Sequence, residues 1–111
     1  MRHALVRSVS ILLTATIVTV PLPVRAQGAA GDASAAGAQI FASTCGFCHQ
    51  DGGRAPGRGP KLAGIEKPDD YLLNRIRVGK EGAMPAYGRA LSDSQLRALV
   101  AYIRSLKDDA R

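Results

Sequence analysis

The chain has 111 residues and a net charge of +6, from 15 Lys and Arg residues against 9 Asp and Glu residues. This length is that of one domain, so it excludes an enzyme built from several domains. The basic residues are scattered along the sequence, whereas a nucleic-acid-binding domain normally shows them clustered and carries a much higher charge. We therefore expect no nucleic-acid partner.

The first 26 residues have the pattern of a secretory signal peptide. Arg2 and Arg7 precede an apolar run over residues 9–20, and prolines then lead to small residues ending at Ala26. The run is shorter than the roughly 20 residues that a transmembrane helix needs. We therefore predict cleavage after Ala26, export to the periplasm and no stable membrane insertion. The alternative is that the segment is retained as a membrane anchor.

The next part of the chain predicts two helices separated by a loop. Residues 27–33 are rich in Gly and Ala without a hydrophobic pattern, which predicts a flexible lead-in. Apolar residues at helical spacing predict a first helix over residues 34–44. The many Gly and Pro residues in 50–64 then indicate a loop. Pro68 and the acids after it indicate the start of a second helix, which ends before Gly79.

A third helix is the most strongly predicted. Ser92 and Gln95 form a capping box, and apolar residues follow at helical spacing to Lys107. No alternating run of β-branched residues occurs after the predicted cleavage site, so we predict an all-α fold. The predicted domain covers residues 34–107, with 108–111 as a flexible tail.

The segment from Cys45 to His49 is a CxxCH motif. Two thiols three positions apart on a helical turn can reach the two vinyl groups of one haem and become thioethers. The adjacent His49 then lies beneath the iron, for which imidazole nitrogen is a suitable axial ligand. The motif therefore predicts one haem c, bound covalently through Cys45 and Cys48.

Three other interpretations of the motif remain. A thiol–disulfide oxidoreductase also uses CxxC, but places it at a helix start within a βαβ pattern that this sequence lacks. A structural zinc ion needs four ligands, and only two cysteines and one histidine remain once His3 is removed with the signal peptide. The third interpretation is an inert motif without chemistry.

Met84 is the only methionine left after removal of the signal peptide, and it is the candidate for the second axial ligand of a bound haem. Pro85 biases its backbone towards an extended conformation, and its small neighbours let the loop approach a flat cofactor. Ligation by two histidines is excluded, because the mature chain has no second histidine. The alternative is that Met84 simply fills space in the core.

From about residue 34 to residue 106 the chain resembles a class I c-type cytochrome, similar to the small soluble bacterial members. The features that carry the resemblance occur in order: the CxxCH motif, Gly59-Pro60-Lys61-Leu62, Met84-Pro85, and the capped terminal helix with Tyr102. The resemblance implies a fold of about three main helices and loops wrapped around one covalently bound haem.

The resemblance also implies roles for individual residues. It implies that the Pro60 carbonyl accepts a hydrogen bond from the proximal His49, which fixes the tautomer of the imidazole. Leu62 is implied to line the haem pocket. The first and last helices are implied to cross closely at a glycine and two aromatic residues: Gly37, Phe41 and Tyr102.

With both axial positions filled by the protein, the iron has no site for a substrate, so we expect electron transfer and not an enzyme. The expected function is a periplasmic one-electron carrier with His/Met ligation, which raises the reduction potential. Its expected partners are a dehydrogenase or quinol-oxidising complex and an oxidase, with the chain as a monomer or a subunit of a complex. One alternative is a dedicated haem c subunit of a periplasmic oxidoreductase. Another is a ligand-binding or sensor haem protein, if Met84 dissociates.

Two sets of surface residues are candidates for further contacts. A weakly basic rim that steers an acidic partner is predicted from Arg54, Arg58, Lys61, Lys80 and Arg89. The candidates for contact with the haem propionates are Arg58, Tyr71, Arg75 and Arg77. The alternative for both sets is a solvated face that only keeps the protein soluble.

Overall fold

The computed structural model of the protein describes residues 28–107. Three α-helices follow one another along this part of the chain: α1, Gly28–Thr44; α2, Asp69–Val78; and α3, Asp93–Ser105. The described residues contain no strand, only one isolated bridge between Lys80 and Met84. The predicted all-α fold is therefore confirmed.

The predicted signal peptide, residues 1–26, and the predicted tail, residues 108–111, lie outside the described residues. Within residues 28–107, no helix is both long enough and apolar enough to cross a membrane.

α1 begins six residues earlier than predicted, at Gly28 instead of Ser34. The predicted lead-in is thereby corrected, because residues 28–33 are helical. Three of these six residues are alanine, the strongest helix former, but Gly28 and Gly31 oppose a helix, so local propensity alone does not predict it. This part of α1 is mostly exposed, and it therefore carries no hydrophobic pattern from which a helix could be predicted.

Both other helices begin where they were predicted. α2 follows Pro68 and stops before Gly79. At the start of α3 the capping box is formed in both directions: the Gln95 amide donates to the Ser92 hydroxyl at 3.2 Å, and the Ser92 amide donates to the Gln95 side chain at 2.9 Å. The helix ends at Ser105, two residues before the predicted end.

α1 and α3 cross in close contact and form the centre of the fold. Gly37 of α1 is buried against the main chain of Ala98 and the side chain of Tyr102. Nearby, the rings of Phe41 and Tyr102 lie 5.1 Å apart at 52°, a favourable tilted arrangement. The crossing that the resemblance implied, with Gly37, Phe41 and Tyr102 at the contact, is confirmed.

The segment between α1 and α2 is a loop, as predicted, apart from one 3₁₀ turn at Asp51–Gly53. The Gly53 carbonyl accepts hydrogen bonds from the amides of Leu62 (2.8 Å) and Ala63 (3.0 Å), both of which are buried. The Tyr102 hydroxyl donates to the Gly52 carbonyl at 2.9 Å. These bonds fold the loop back on itself and fasten it to α3.

Arg104 of α3 holds the end of the same loop. Its guanidinium donates to the Asp69 carboxylate at 2.7 Å, to the Ile65 carbonyl at 2.7 Å and to the Lys67 carbonyl. One side chain therefore fixes residues 65–69, which lead into α2, against the last helix.

Candidate functional site

A cavity of about 990 Å³ lies between the loop, the three helices and the segment that contains Met84. Its volume is at the upper end of the range of roughly 300–1,000 Å³ that is typical of ligand pockets. Most of its walls are apolar, with side chains that include Phe41, Leu62, Ile65, Leu72, Ile76, Leu99 and Ile103. The cavity is thus suited to a large ligand with a mostly apolar surface.

The residues of the CxxCH motif form one wall of the cavity. The turn continues from α1, because the Cys45 amide donates to the Phe41 carbonyl at 2.8 Å and the His49 amide donates to the Cys45 carbonyl at 3.0 Å. Cys45, Cys48 and His49 all line the cavity, whereas Phe47 between them is 86% exposed. The two cysteines are not joined by a disulfide, and burial raises the pKa of the Cys45 thiol to about 11.

His49 is buried and its ring is fixed in orientation. Its Nδ1 atom lies 2.8 Å from the Pro60 carbonyl oxygen, so this nitrogen donates in the neutral imidazole. The other ring nitrogen, Nε2, then keeps a lone pair for a metal ion. Gly59 packs directly against the ring, since a Cβ atom there would lie 2.7 Å from Nδ1. The hydrogen bond that the resemblance implied is present.

Met84 reaches the cavity from a different part of the chain, 35 residues after His49. It is half-buried and packs against the hydrophobic core. Its amide donates to the Lys80 carbonyl at 2.8 Å, and its carbonyl accepts from the Lys80 amide at 2.8 Å. These two bonds hold Met84 in a tight turn just after α2.

The residues around the cavity fit a covalently attached haem. Two thiols and an oriented imidazole lie on one turn, a thioether comes from a remote segment, and the walls are apolar. They do not fit a zinc ion, since no group of three or more His, Cys, Asp and Glu residues within residues 28–107 is placed to hold a metal.

Basic side chains lie at another part of the cavity lining, around Tyr71. Arg75 donates to the Tyr71 hydroxyl at 3.3 Å and to the Gly79 carbonyl at 3.1 Å. The ammonium group of Lys67 lies 5.6 Å from the centre of the Tyr71 ring. The hydrogen bond from Arg75 and its positive charge lower the pKa of Tyr71, and the charges of Lys67 and Lys80 act in the same direction.

The four residues predicted to contact the propionates fall into two groups, according to whether they line the cavity. Arg58, Tyr71 and Arg75 line the cavity. Arg77 does not, and instead pairs with Asp93 at 2.9 Å on the outside of the fold.

The predicted basic rim is also only partly at the cavity. Arg58 and Lys80 line it, together with Lys67, which was not predicted. The other three residues of the predicted rim do not: Arg54, Lys61 and Arg89.

Sequence reasoning missed two residues that shape the site. The sequence marks Gly79 only as the end of α2, although its main chain packs against the segment from Met84 to Ala86. Arg104 fixes part of the cavity wall at Ile65 and Lys67, but nothing in its sequence neighbourhood distinguishes it from other exposed arginines.

Comparison with known proteins gives consistent matches. Residues 32–103 match the family described as cytochrome c oxidase, cbb3-type, subunit III. The chain is 38% identical to the cbb3-type cytochrome c oxidase subunit FixP of Azorhizobium caulinodans, over 87% of this chain and 36% of that protein. It is 37% identical to cytochrome c6 of Picosynechococcus sp., over 63% of this chain and 70% of that protein.

A solved structure shows the same fold. Cytochrome c6C from Synechococcus sp. PCC 7002 superposes with a TM-score of 0.54 and 32% identity, over 66% of this chain and 95% of that chain. The chain spans between 27% and 36% of the length of the FixP relatives that it matches.

In c-type cytochromes the haem is held by protein ligands that set its reduction potential, and its iron exchanges electrons. The predictions of one haem c and of an electron-transfer protein that is not an enzyme are confirmed at this level. The chain belongs to the class I c-type cytochromes, within the family described as cytochrome c oxidase, cbb3-type, subunit III.

Proposed function

We propose that the protein is a periplasmic one-electron carrier, with its haem attached through Cys45 and Cys48 and its iron ligated by His49 and Met84. The observation that supports this proposal is that the CxxCH turn and Met84 line the same cavity. His49 of that turn and Met84 are 35 positions apart in the sequence. The bound haem supplies reversible exchange of one electron between ferric and ferrous iron.

Each of these side chains has a distinct task. The Pro60 carbonyl orients the His49 ring so that Nε2 faces the cavity as an acceptor. Met84 would supply a neutral thioether, which would favour the reduced state and so raise the potential. Leu62 and the other apolar residues of the lining exclude water, and this reduces the reorganisation of solvent that accompanies electron transfer. With His49 and Met84 as its ligands, the iron would have no open position for a substrate, so bond-making chemistry would be disfavoured.

The cluster around Tyr71 supports an orientation for the haem. Lys67 and Arg75 lie at the cavity lining, and neither appears in the ion pairs of residues 28–107, which join Arg77 to Asp93 and Arg104 to Asp69. Cations at this position match the negative charge of the propionates. We assign the propionate side of the haem to Tyr71 and Arg75.

Replacement of Met84 tests the ligation. Met84→Leu conserves the volume of the side chain but removes the sulfur atom. In the holoprotein it should abolish the weak red charge-transfer band that marks iron–thioether ligation. The reduction potential should fall by a part of the roughly 0.8 V range over which axial ligands set haem potentials. Ile40→Leu, an equally conservative change at a residue that packs against the core but does not line the cavity, is the control and should leave both unchanged.

An unchanged band in Met84→Leu would refute Met84 as the ligand. If that variant and the wild type both bind carbon monoxide readily when reduced, the ligand-binding or sensor function would replace the carrier.

The second candidate function is a dedicated haem subunit of a larger oxidoreductase. It is favoured by the match to the FixP proteins, which are named as oxidase subunits. Purification of the protein from its native membrane and periplasmic fractions at high salt separates the two functions. A carrier should be recovered alone from the periplasm, whereas a subunit should remain with its complex.

The proposal includes export and processing of the chain. Removal of residues 1–26 would leave residues 34–107 as the domain proper, preceded by the helical residues 28–33. The mass of the purified holoprotein checks this cleavage.

A further inference from the structure

We infer that Gly79 is a positioning residue for Met84, because only a residue without a side chain lets the main chain of residues 84–86 pack against the end of α2. This inference rests on the proposed ligation by Met84. It concerns how the protein holds the thioether in place, and therefore how firmly the second axial position is occupied.

The turn that carries Met84 is attached to the last residues of α2. Besides the two hydrogen bonds between Lys80 and Met84, the Ala83 amide donates to the Lys80 carbonyl at 2.9 Å. Further along, the Tyr87 amide donates to the Ile76 carbonyl at 3.0 Å. Met84 is thus held on both sides by main-chain bonds that lead back to α2.

Gly79 lies where this turn presses most closely on the helix end. Its φ of 69° and ψ of −162° fall in a region that is essentially restricted to glycine. A Cβ atom there would lie 2.7 Å from the Pro85 carbonyl carbon, 2.8 Å from the Ala86 nitrogen and closer still to the Met84 carbonyl oxygen. All three are main-chain atoms, so no rotation of a side chain relieves the overlap.

Relief of this overlap requires the main chain of residues 84–86 and that of Gly79 to move apart. Gly79 is fixed by Arg75 on both sides: its amide donates to the Arg75 carbonyl at 2.8 Å, and its carbonyl accepts from the Arg75 guanidinium at 3.1 Å. A side chain at Gly79 would therefore displace residues 84–86 and strain the pair of bonds between Lys80 and Met84. The displacement would carry the thioether away from its position in the cavity.

The test is Gly79→Ala in the holoprotein, with Gly82→Ala as the matched control. Gly82 lies in the same turn and has a φ of 70°, close to that of Gly79, but a Cβ atom there would meet nothing within 4 Å. Gly79→Ala should lose the red charge-transfer band, as is expected of Met84→Leu, and it should gain carbon monoxide binding in the reduced state. Gly82→Ala should keep the band and stay inert to carbon monoxide. Retention of the wild-type band and inertness by Gly79→Ala would overturn the inference.

Hydrogen exchange in the wild-type holoprotein gives a second measurement that does not depend on folding of the variant. The amides of Lys80 and Met84 should exchange slowly, while those of Glu81 and Gly82 at the exposed tip of the turn should exchange rapidly. Equally rapid exchange at all four amides would overturn the rigid turn on which the inference depends.

The two proposals fail in different ways. If the wild type lacks a band that depends on Met84, the proposed ligation fails. If that band is present in the wild type and survives in Gly79→Ala, only the role of Gly79 fails.

Discussion

Replacement of Gly37 by alanine should separate the two helices at the centre of the fold. A Cβ atom at this position would lie 2.6 Å from the carbonyl carbon of Ala98, 2.9 Å from the Cβ of Tyr102, and closer still to the Ala98 oxygen. To restore an ordinary contact of 3.4 Å to the carbonyl carbon alone, α1 and α3 must move apart by at least 0.8 Å, the difference between the two distances.

The energetic cost follows from two opposing effects. Overpacking of a well-packed core typically costs about 1–3 kcal/mol, and here the added methyl group meets main chain, which cannot rotate away. Replacement of glycine by alanine within a helix raises the free energy of unfolding by about 0.5–1 kcal/mol. We therefore expect a net loss of up to about 2.5 kcal/mol from Gly37→Ala, and a lower midpoint of unfolding.

The assay is unfolding of the holoprotein by urea, followed by far-ultraviolet circular dichroism. Gly31→Ala is the control, because Gly31 lies in the same helix and a Cβ atom there would meet nothing within 4 Å. This control should be neutral or stabilised by up to about 1 kcal/mol, since it gains helix propensity without overlap. The reasoning would be refuted if the two variants were equally stable.

Two further predictions concern charge and pH. Arg75→Leu should lower the reduction potential, because removal of a cation at the cavity lining favours ferric iron. Arg77→Leu is the control and should leave the potential unchanged, because it loses only the exposed ion pair with Asp93. Equal shifts of the two variants in a redox titration would contradict the assigned propionate side. Burial raises the pKa of Tyr87 above its ordinary value of 10.0, so the stability that this residue contributes is present below that pH and is lost as the pH rises through the raised pKa. Tyr87→Phe should remove this part of the alkaline loss in urea unfolding measured from about pH 8 to pH 11, and an unchanged pH profile would show that another group is responsible.

The sequence predicts best what is decided by neighbouring residues. The capping box of Ser92 and Gln95 is complete within four residues, so the start of α3 could be predicted closely. The early start of α1 could not, because residues 28–33 are mostly exposed and carry no hydrophobic pattern. The CxxCH motif is likewise local, and Met84 is singled out as the candidate ligand because it is the only methionine after the predicted cleavage site.

What the sequence leaves undetermined is set by packing between distant segments. The sequence does not distinguish Arg75 from Arg77, because both are arginines in the last turn of α2. The orientation of α2 about its axis, which packing against the rest of the fold sets, places Arg75 at the cavity and Arg77 beside Asp93. The three hydrogen bonds of Arg104 join it to residues 35 to 39 positions earlier in the chain. No sequence pattern near Arg104 therefore predicts them.

The crossing of α1 and α3 also governs how the chain can fold. Gly37 and Ala98 are 61 positions apart, so their contact closes a loop that contains nearly every other element of the domain. By the usual dependence on loop length, closure of such a loop costs on the order of 4 kcal/mol of chain entropy before any contact compensates it. Removal of either helix therefore removes the contact between α1 and α3 that closes this loop. A fragment that lacks α1 or α3 should be unfolded and should not form a smaller domain. The crossing segments of α1 and α3 are thus both needed for the fold, and fusion partners belong outside residues 28–107.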